Sequence, residues 1–404
     1  MSGEGNACFR IFLNLVRKPV GMCIINYIFG GTAMAAKDIN ARCPWPLDTT
    51  VCFDRVLGEV NREGMQGFEI LPDGKVHVRV VAPNAKEVVL DRFGTIFPLE
   101  KVDENGGFEG TFDMGQGFLY FFLKYDGNDV MNPCLPIGYG CCRPMHYFDV
   151  PVPGEDWAGL EGVEHGAVAR HYVPSSVTGK HEICLVYTPP KYDPAKKYPV
   201  LYLQHGYGEN ETGWVYQGHV GRIADRLIAD GKMKEMIIVM GNGMTQPKDD
   251  DGNPLMRMLF PEVLVNDFIP YIESHYNVYT DKWNRAMAGL SMGSFQTSIT
   301  TLSHPELFGY AGLFSGFLRA PWGDNADEAP YLAITKDAER FNREYKVFYR
   351  AMGTEDQYFD SFAKDDQYLE GKGLNMIRET FPGYHEWTVW RRCIHSFLPR
   401  LFQD

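Results

Sequence analysis

The sequence lacks the features that define several classes of protein. Its nine cysteines include no C-x-x-C pair, which argues against a zinc site or a framework of paired disulfides. The 39 Lys and Arg residues are outnumbered by 52 Asp and Glu, so a net charge of −13 offers no basic surface for nucleic acid. Beyond residue 36, no run approaches the roughly 20 apolar residues of a membrane-spanning helix. These absences exclude a disulfide miniprotein and predict neither a nucleic-acid nor a membrane partner.

The first 36 residues fit two interpretations. Basic residues precede an apolar stretch from Val20 to Ala36, which loosely matches a secretory signal peptide. A true start at Met22 or Met34 matches equally well, and residues 37–67 then form an N-terminal extension. Unpaired cysteines favour a cytoplasmic location, with secretion as the alternative if the leader is a signal peptide.

The segment from Phe68 to Val150 carries the signals of antiparallel β structure. Lys75–Val80 alternates polar and apolar residues, which is the period-two pattern of a half-buried strand. No helical pattern interrupts the segment, and hairpin-type turn signals occur at Asp73-Gly74, Asn105-Gly106 and Asp126-Gly127. This pattern predicts a small immunoglobulin-like β-sandwich at 68–150, followed by a linker at 151–180.

From residue 181 the pattern changes to alternating strands and helices. Pro199–Gln204 is typical of a buried strand that runs into the glycine-containing loop His205–Gly208. Gly221–Lys232 is typical of an amphipathic helix, and Met236–Met240 of another buried strand. The alternation predicts, for residues 181–404, a mostly parallel sheet with helices on both faces.

The most informative motif is Arg285–Gly293, in which a short apolar strand runs into G-x-S-x-G and a helix-compatible segment follows. This is the arrangement of a nucleophile elbow, whose glycines permit a tight turn that presents the serine hydroxyl at the head of a helix. The free N–H groups at that helix end favour a developing oxyanion. The motif therefore predicts Ser291 as a nucleophile and the Met292 N–H as an oxyanion donor.

A serine hydroxyl needs a general base, and in this class of site the chain order is Ser, acid, His. Three histidines follow Ser291 in the sequence. His304 is interpreted as ending the elbow helix, and His395 lies within a closing helix predicted at Val389–Phe402. His385 lies in a Gly/Pro loop just before that helix, from which it can reach across the carboxyl edge of the sheet. It is the predicted base.

The acid is expected after a strand predicted at Lys346–Met352, because loops at the carboxyl ends of strands assemble the sites of α/β proteins. Asp356 lies in the exit loop and precedes His385 with room for a helix around Asp365–Phe381. The local pattern favours Asp356 but leaves rivals open. They are Glu355, Asp337 and Asp360.

The second oxyanion donor is expected from the loop His205–Gly208, where glycines let the backbone approach a substrate. We assign it to the N–H of Tyr207, with His205 as a structural brace of the loop. Trp214, just beyond, fits a wall of the acyl pocket and a cap on the core equally well. The candidate substrate-binding residues are Gly206, Trp214 and Trp322.

Several motifs together resemble the esterase D-type, or "putative esterase", family of α/β-hydrolases. The motifs include Leu201–Gly208 with Trp214, Arg285–Gly293, Gly353–Asp356 and His385–Trp390. The resemblance covers about residues 165–402, and the family includes the feruloyl and acetylxylan esterases of carbohydrate esterase family 1. It implies an α/β-hydrolase fold that needs no metal or cofactor. The roles implied are Ser291 as nucleophile, Asp356 as acid, His385 as base, and the Tyr207 and Met292 amides as oxyanion hole.

The β segment has a resemblance of its own. Phe68–Val150, with its motif Val80–Val88, resembles the early-set, carbohydrate-binding-module-like domain often fused in front of such esterases. The segment contains no tryptophan, so an aromatic platform for a glycan is not evident. A structural or lid role is an equal alternative.

These observations predict a serine ester hydrolase that releases feruloyl or acetyl groups from plant-cell-wall xylan or its oligosaccharides through an acyl-enzyme. The expected partner is an ester-bearing carbohydrate or hydroxycinnamate. One alternative is an enterochelin-type siderophore tri-ester or a small (thio)ester as substrate. A binding module without activity is a third hypothesis, which the presence of Ser291, Asp356 and His385 in the expected order disfavours.

Overall fold

The structure, a computed structural model, describes residues 66–244, 259–319 and 328–403. The leader 1–36, nearly all of the 37–67 extension and Trp322 lie outside these ranges. Among the described residues, no helix is both long and apolar enough to cross a lipid bilayer.

The strands fall into two groups along the chain. The first group is β1 Gly67–Ile70, β2 Val76–Val81, β3 Val88–Arg92, β4 Thr95–Lys101, β5 Gly107–Phe112, β6 Gly117–Tyr125, β7 Asn128–Val130, β8 Ile137–Gly140 and β9 Arg143–Val150. The second group is β10 Ala167–Pro174, β11 His181–Thr188, β12 Val200–Gln204, β13 Ile237–Gly241, β14 Arg285–Leu290, β15 Tyr310–Phe314, β16 Val347–Gly353 and β17 Ile377–Phe381.

Helices accompany the second group. The α-helices are α1 Gly213–Tyr216, α2 Val220–Ala229, α3 Phe260–Val263, α4 Ile269–His275, α5 Met292–Ser303, α6 Ala338–Glu344, α7 Phe359–Leu369 and α8 Trp387–Phe397. A π-helical turn at Leu264–Phe268 joins α3 to α4, and 3-10 turns lie at Lys282–Asn284, Pro330–Lys336 and Leu398–Arg400.

Strands β1 to β9 form one antiparallel unit, called the β unit below. They pair in the order β1-β2-β5-β4-β3-β6-β9-β8, with β7 on the side of β6. Val76, Val78 and Val80 are buried while the residues between them are half-buried, as the period-two pattern predicted. The buried side chains of these strands form a separate apolar core that includes Phe68, Phe121 and Phe148.

Strands β10 to β17 form the sheet of the second unit, called the α/β unit below. The order is β10-β11-β13-β12-β14-β15-β16-β17, and every pairing from β13 to β17 is parallel. Alternate residues of β12 enter different cores: Leu201 and Leu203 pack with α2 and α8, whereas Val200 and Tyr202 pack with α3 and α4. The prediction of a mostly parallel sheet with helices on both faces is confirmed.

Two sequence predictions fail in this unit. The helix expected around Asp365–Phe381 ends at Leu369, because Gly371 and Gly373 adopt positive φ angles, and β17 follows as a parallel edge strand beside β16. The linker expected at 151–180 contains β10, which pairs with β11 along its full length. The chain therefore joins the second sheet earlier than the composition indicated.

The two units are held together by a buried ion pair. The Arg391 guanidinium on α8 donates to both carboxylate oxygens of Asp149 on β9, at 2.8 and 2.7 Å, and its Nε donates to the Gln217 carbonyl at 2.7 Å. Nearby, the Phe118 amide of β6 donates to the Thr388 hydroxyl at 3.2 Å. The N-terminal half of α8 therefore packs directly on the β unit.

We expect Arg391→Met to lower the free energy of unfolding by about 3–5 kcal/mol, since it leaves the buried Asp149 carboxylate without its charged partner. Urea unfolding followed by tryptophan fluorescence measures this loss. Lys75→Met is the control because its ion pair with Asp73 is exposed, so the urea midpoint should stay at the wild-type value. A wild-type midpoint for Arg391→Met would contradict the role given to the pair.

Candidate active site

Ser291 lies in a strained turn between β14 and α5. Its φ of 50° and ψ of −116° lie outside the regions that most residues adopt. A Cβ on Gly289 would lie 2.5 Å from the carbonyl of Gly293, and a Cβ on Gly293 would lie 2.5 Å from the carbonyl oxygen of His205. Both contacts are with backbone atoms, so only glycine fits at these two positions. The G-x-S-x-G spacing therefore follows from the packing of the turn against the neighbouring loop.

His385 and Asp356 form a hydrogen-bonded pair. The imidazole Nδ1–H donates to the Asp356 Oδ2 at 2.8 Å, and the Tyr358 amide donates to Oδ1 at 2.9 Å. Burial opposes ionisation of the carboxyl, but hydrogen bonds from His385, the Tyr358 amide and the Ser315 hydroxyl outweigh it and lower the pKa of Asp356. A carboxylate ionised in this way fixes the tautomer of His385 with Nε2 left as the proton acceptor.

The other candidate acids and bases have different environments. Glu355 is exposed and accepts the Gly383 amide from the loop after β17, while Asp337 caps α6 and Asp360 lies in the first turn of α7. His304 is the C-cap of α5, and His395 stacks on Trp157 with ring centroids 4.8 Å apart. Among the described candidates, His385 is the one that lines a cavity together with Ser291, and Asp356 is its hydrogen-bonded partner.

Ser291 and His385 line one cavity of about 670 Å³ between the two units. This volume is in the range of small-molecule sites. Aromatic side chains supply much of the wall. They are Phe93, Phe118, Tyr120, Tyr207, Tyr384, Trp387 and Trp390. No group of three or more His, Cys, Asp or Glu in the described ranges is arranged to hold a metal ion.

The loop after β12 also lines the cavity, through Gly206 and Tyr207, and Gly206 lies beside Ser291. The buried imidazole of His205 donates from Nδ1 to the Gly206 carbonyl at 2.8 Å and accepts the Gly243 amide at Nε2, also at 2.8 Å. Burial lowers the pKa of His205 to about 4, so the ring is neutral and braces the loop. This is the structural role that the sequence predicted for it.

The β unit braces the same loop from the other side. Cys141 and Cys142 form the two-residue turn between β8 and β9, with φ angles of 49° and 63°. The Cys142 amide donates to the carbonyl of Gly208 at 2.8 Å. The proposed oxyanion loop is therefore clamped between His205 of its own unit and a hairpin of the β unit.

The residues predicted to contact substrate lie in different surroundings. Gly206 lines the cavity, but Trp214 is buried in the core, where its Nε1–H donates to the Gln204 carbonyl at 2.9 Å. Its ring packs edge to face on Trp387, with centroids 5.2 Å apart. Trp214 therefore supports the wall of the cavity from behind and does not face it. Of the two interpretations left open, the cap on the core is the correct one.

Sequence reasoning missed the residues that the β unit brings to the site. Arg92, Phe93, Thr95, Phe118, Tyr120 and Cys141 all line the cavity. The sequence gives little indication that these residues belong to the site, because each is separated from Ser291 by 150 residues or more. The glycine of the Phe93-Gly94 dipeptide is the local feature that could have indicated a hairpin tip here.

Glu209 was also missed. It lines the cavity, is buried, and accepts the Trp387 Nε1–H at 2.8 Å through Oε1. Its Oε2 is buried with no hydrogen-bond partner among the described atoms. Burial raises the pKa of this carboxyl to about 8, so it is mostly protonated at neutral pH.

Comparison with known proteins agrees with this geometry. The family model described as "Putative esterase" matches residues 175–401, which is more than half of the chain. The chain belongs to this family. A curated relative from Xylanibacter ruminicola, named endo-1,4-beta-xylanase/feruloyl esterase, is 35% identical over 366 residues, which are 87% of this chain and 48% of the relative. The chain thus spans about half the length of that relative.

Solved structures of esterases share the fold. A CE1 ferulic acid esterase from Anaeromyces mucronatus, in complex with ferulic acid, is 25% identical with a TM-score of 0.53, over 62% of this chain and 96% of that one. Enterochelin esterase from Shigella flexneri is 13% identical with a TM-score of 0.59, over 83% of this chain and 95% of that one. The likeness to the second shows the fold alone. The predicted α/β-hydrolase fold of the α/β unit is confirmed.

We expect Gly293→Ala to reduce hydrolysis of 4-nitrophenyl acetate about 100-fold or more, because the added Cβ displaces the elbow and the Met292 amide. Initial rates measure the loss, and far-UV circular dichroism checks the fold. Gly231→Asn is the control, since nothing lies within 4 Å of a Cβ at that position and asparagine tolerates its positive φ. A wild-type rate for Gly293→Ala would show that the turn has room for a side chain.

Glu209→Gln tests the buried carboxyl through the pH dependence of stability. The folded-state pKa is raised, so the folded protein holds a proton that the unfolded chain releases near pH 4.5. The contribution of Glu209 to wild-type stability should therefore fall by about 1.4 kcal/mol per pH unit between about 4.5 and 8, and Glu209→Gln lacks this contribution. Urea unfolding at pH 5, 6.5 and 8 should show that the free energy of unfolding of the variant increases relative to that of the wild type as pH rises. A difference independent of pH would mean that Glu209 is ionised in the folded state.

Proposed function

We propose that this chain is a serine carboxylic-ester hydrolase that releases feruloyl groups from the saccharides of plant-cell-wall xylan. The observation that carries the proposal is the aromatic-lined cavity with Ser291 and His385 on its wall. The relative from Xylanibacter ruminicola, whose name includes feruloyl esterase, supports the same substrate class.

In the proposed mechanism the Ser291 hydroxyl attacks the ester carbonyl while His385 Nε2 takes its proton. Asp356 holds the imidazole in the required tautomer and stabilises the imidazolium that forms. The Tyr207 and Met292 amides stabilise the oxyanion, and His385 then protonates the departing sugar oxygen as its bond to the acyl carbon breaks. Water, activated by the same histidine, cleaves the acyl-enzyme and releases the carboxylic acid with Ser291 restored.

The lining of the cavity favours a hydroxycinnamoyl group over an acetyl group. Phe118, Trp387 and Trp390 are buried rings on its wall. A planar aromatic acyl chain removes more apolar surface from water in such a site than a methyl group does. The large volume of the cavity supports the same choice.

We also infer an immunoglobulin-like, early-set sandwich for the β unit. Its strands are antiparallel throughout and enclose one apolar core, which supports that assignment. With strand pairing as the guide, we propose that this unit spans about 68–150.

The proposed substrate is tested with a panel of three esters: methyl ferulate, acetylated xylan, and a cyclic siderophore tri-ester. Mass detection of the released acid should show ferulate release far exceeding acetate release, with the siderophore intact. Release of acetate without ferulate, or hydrolysis of the siderophore alone, would overturn the proposed substrate class while leaving the family assignment in place.

The proposed triad predicts different losses for two conservative acid variants. Asp356→Asn should lower kcat on methyl ferulate on the order of 10³–10⁴-fold, because the wrong histidine tautomer is then favoured. Glu355→Gln should keep most of the rate, since that side chain accepts the Gly383 amide rather than the His385 ring and a glutamine oxygen can accept the same bond. Ser291→Ala should abolish turnover and labelling by a fluorophosphonate, with Ser274→Ala on α4 as the matched control. Equal losses for Asp356→Asn and Glu355→Gln would contradict the assignment of the acid.

A further inference from the structure

The turn between β3 and β4 holds an aromatic residue in a backbone conformation that disfavours it. Arg92 pairs with Thr95 across the turn, so Phe93 and Gly94 form a two-residue hairpin loop. Their φ angles are +49° and +101°. Loops of this kind favour Asn, Asp or Gly at the first position, and a bulky side chain there is under steric strain. Such strain tends to be kept where a function requires the side chain.

The strained residue lies at the mouth of the candidate active-site cavity. Phe93 is 62% exposed, so most of its ring is accessible to a ligand. With Arg92 and Thr95, it lines the same cavity as Ser291 and His385. The tip of this hairpin is therefore part of the site, although it belongs to the other unit.

Neighbouring groups hold the tip in position. The Phe93 ring packs edge to face on Phe122, with centroids 5.7 Å apart, and the Arg143 guanidinium lies over Phe122 at 5.0 Å. The Gly94 amide donates to the Asp91 carboxylate at 2.7 Å. The ring is thus pre-positioned, so that binding to it costs little side-chain ordering.

Two further exposed rings line the cavity from the α/β unit. Tyr207 is 65% exposed and Tyr384 is 62% exposed, and both are in loops that adjoin the proposed catalytic groups. The rings nearer the bottom of the cavity, such as Phe118 and Trp387, are buried. The cavity therefore has a buried aromatic end and an exposed aromatic mouth that both units build.

We propose that Phe93, together with Tyr207 and Tyr384, binds the saccharide portion of the ester substrate. An ester has an acyl half and an alcohol half, and the buried end suits the acyl half. The sugar then lies at the mouth, where its C–H groups pack on the electron-rich faces of aromatic rings. This inference rests on the proposed function and assigns to the β unit a direct part in substrate selection.

Polar groups at the mouth complement the rings. The Arg92 guanidinium lies 3.4 Å from the Glu386 carboxylate, and both line the cavity with Glu355 and Gln357. Donors and acceptors arranged beside an aromatic surface suit the hydroxyl groups of a sugar. A purely apolar ligand would remove these groups from water and offer them no hydrogen bond in return.

The test replaces Phe93 with the residue that the turn prefers. Phe93→Asn removes the ring and relieves the strain, so the thermal midpoint should equal or exceed the wild-type value. The kcat/KM for a feruloylated arabinoxylan oligosaccharide should fall about tenfold more than that for methyl ferulate, chiefly through KM, because one aromatic contact to the sugar is lost. Phe93→Trp should restore the preference for the oligosaccharide.

Tyr172→Asn is the matched control, because Tyr172 is 59% exposed on β10 and does not line the cavity. It should leave the ratio of the two kcat/KM values unchanged. Equal losses on both esters for Phe93→Asn, no loss on either, or a lowered thermal midpoint would each overturn the inference while the proposed function stands. If the wild type hydrolyses neither feruloyl ester, the proposed function fails and the inference falls with it.

Discussion

The buried ion pair between Asp149 and Arg391 is the contact on which the arrangement of the site depends. Two charges removed from water are tolerated only when their hydrogen bonds are well formed, and here the guanidinium meets both carboxylate oxygens. Arg391 lies on α8, the helix that begins just after His385 and places Trp387 and Trp390 on the cavity wall. One helix therefore fixes the β unit, the loop of the base and the buried end of the cavity at the same time.

The site is consequently a property of both units. The loop that carries Tyr207 is braced by the His205 ring from one side and by the Cys142 amide from the other. An oxyanion donor is effective only when its position is set before the reaction, so a brace from the β unit contributes to the proposed chemistry. The β unit also forms part of the cavity wall, as a lid does. The absence of tryptophan from its sequence did not exclude a role at the site, because phenylalanine and tyrosine supply the rings.

What the sequence could predict was the local chemistry. Ser291, Asp356 and His385 each follow a strand or loop signal that is readable within about ten residues, and the parallel sheet brings those loop positions to one edge. Trp214 was undecided because whether a ring faces a cavity or a core depends on side chains such as Trp387, far away in the sequence. The residues that the β unit adds to the cavity wall could not be predicted, for the same reason. Contacts between distant segments are set by docking of whole surfaces, which no local pattern encodes.

Several residues with strained backbone conformations lie in the candidate active site. Nine non-glycine residues of the described chain have positive φ, and Phe93, Cys141 and Ser291 among them line the cavity. Ser315, another of the nine, accepts the Trp390 Nε1–H at 2.9 Å, and Cys142 holds the proposed oxyanion loop. Conformations of this kind persist only where the surrounding packing over-determines them. The close-packed elbow and the buried ion pair supply that packing, so the stability of the interface between the units is what keeps the strained site in its working geometry.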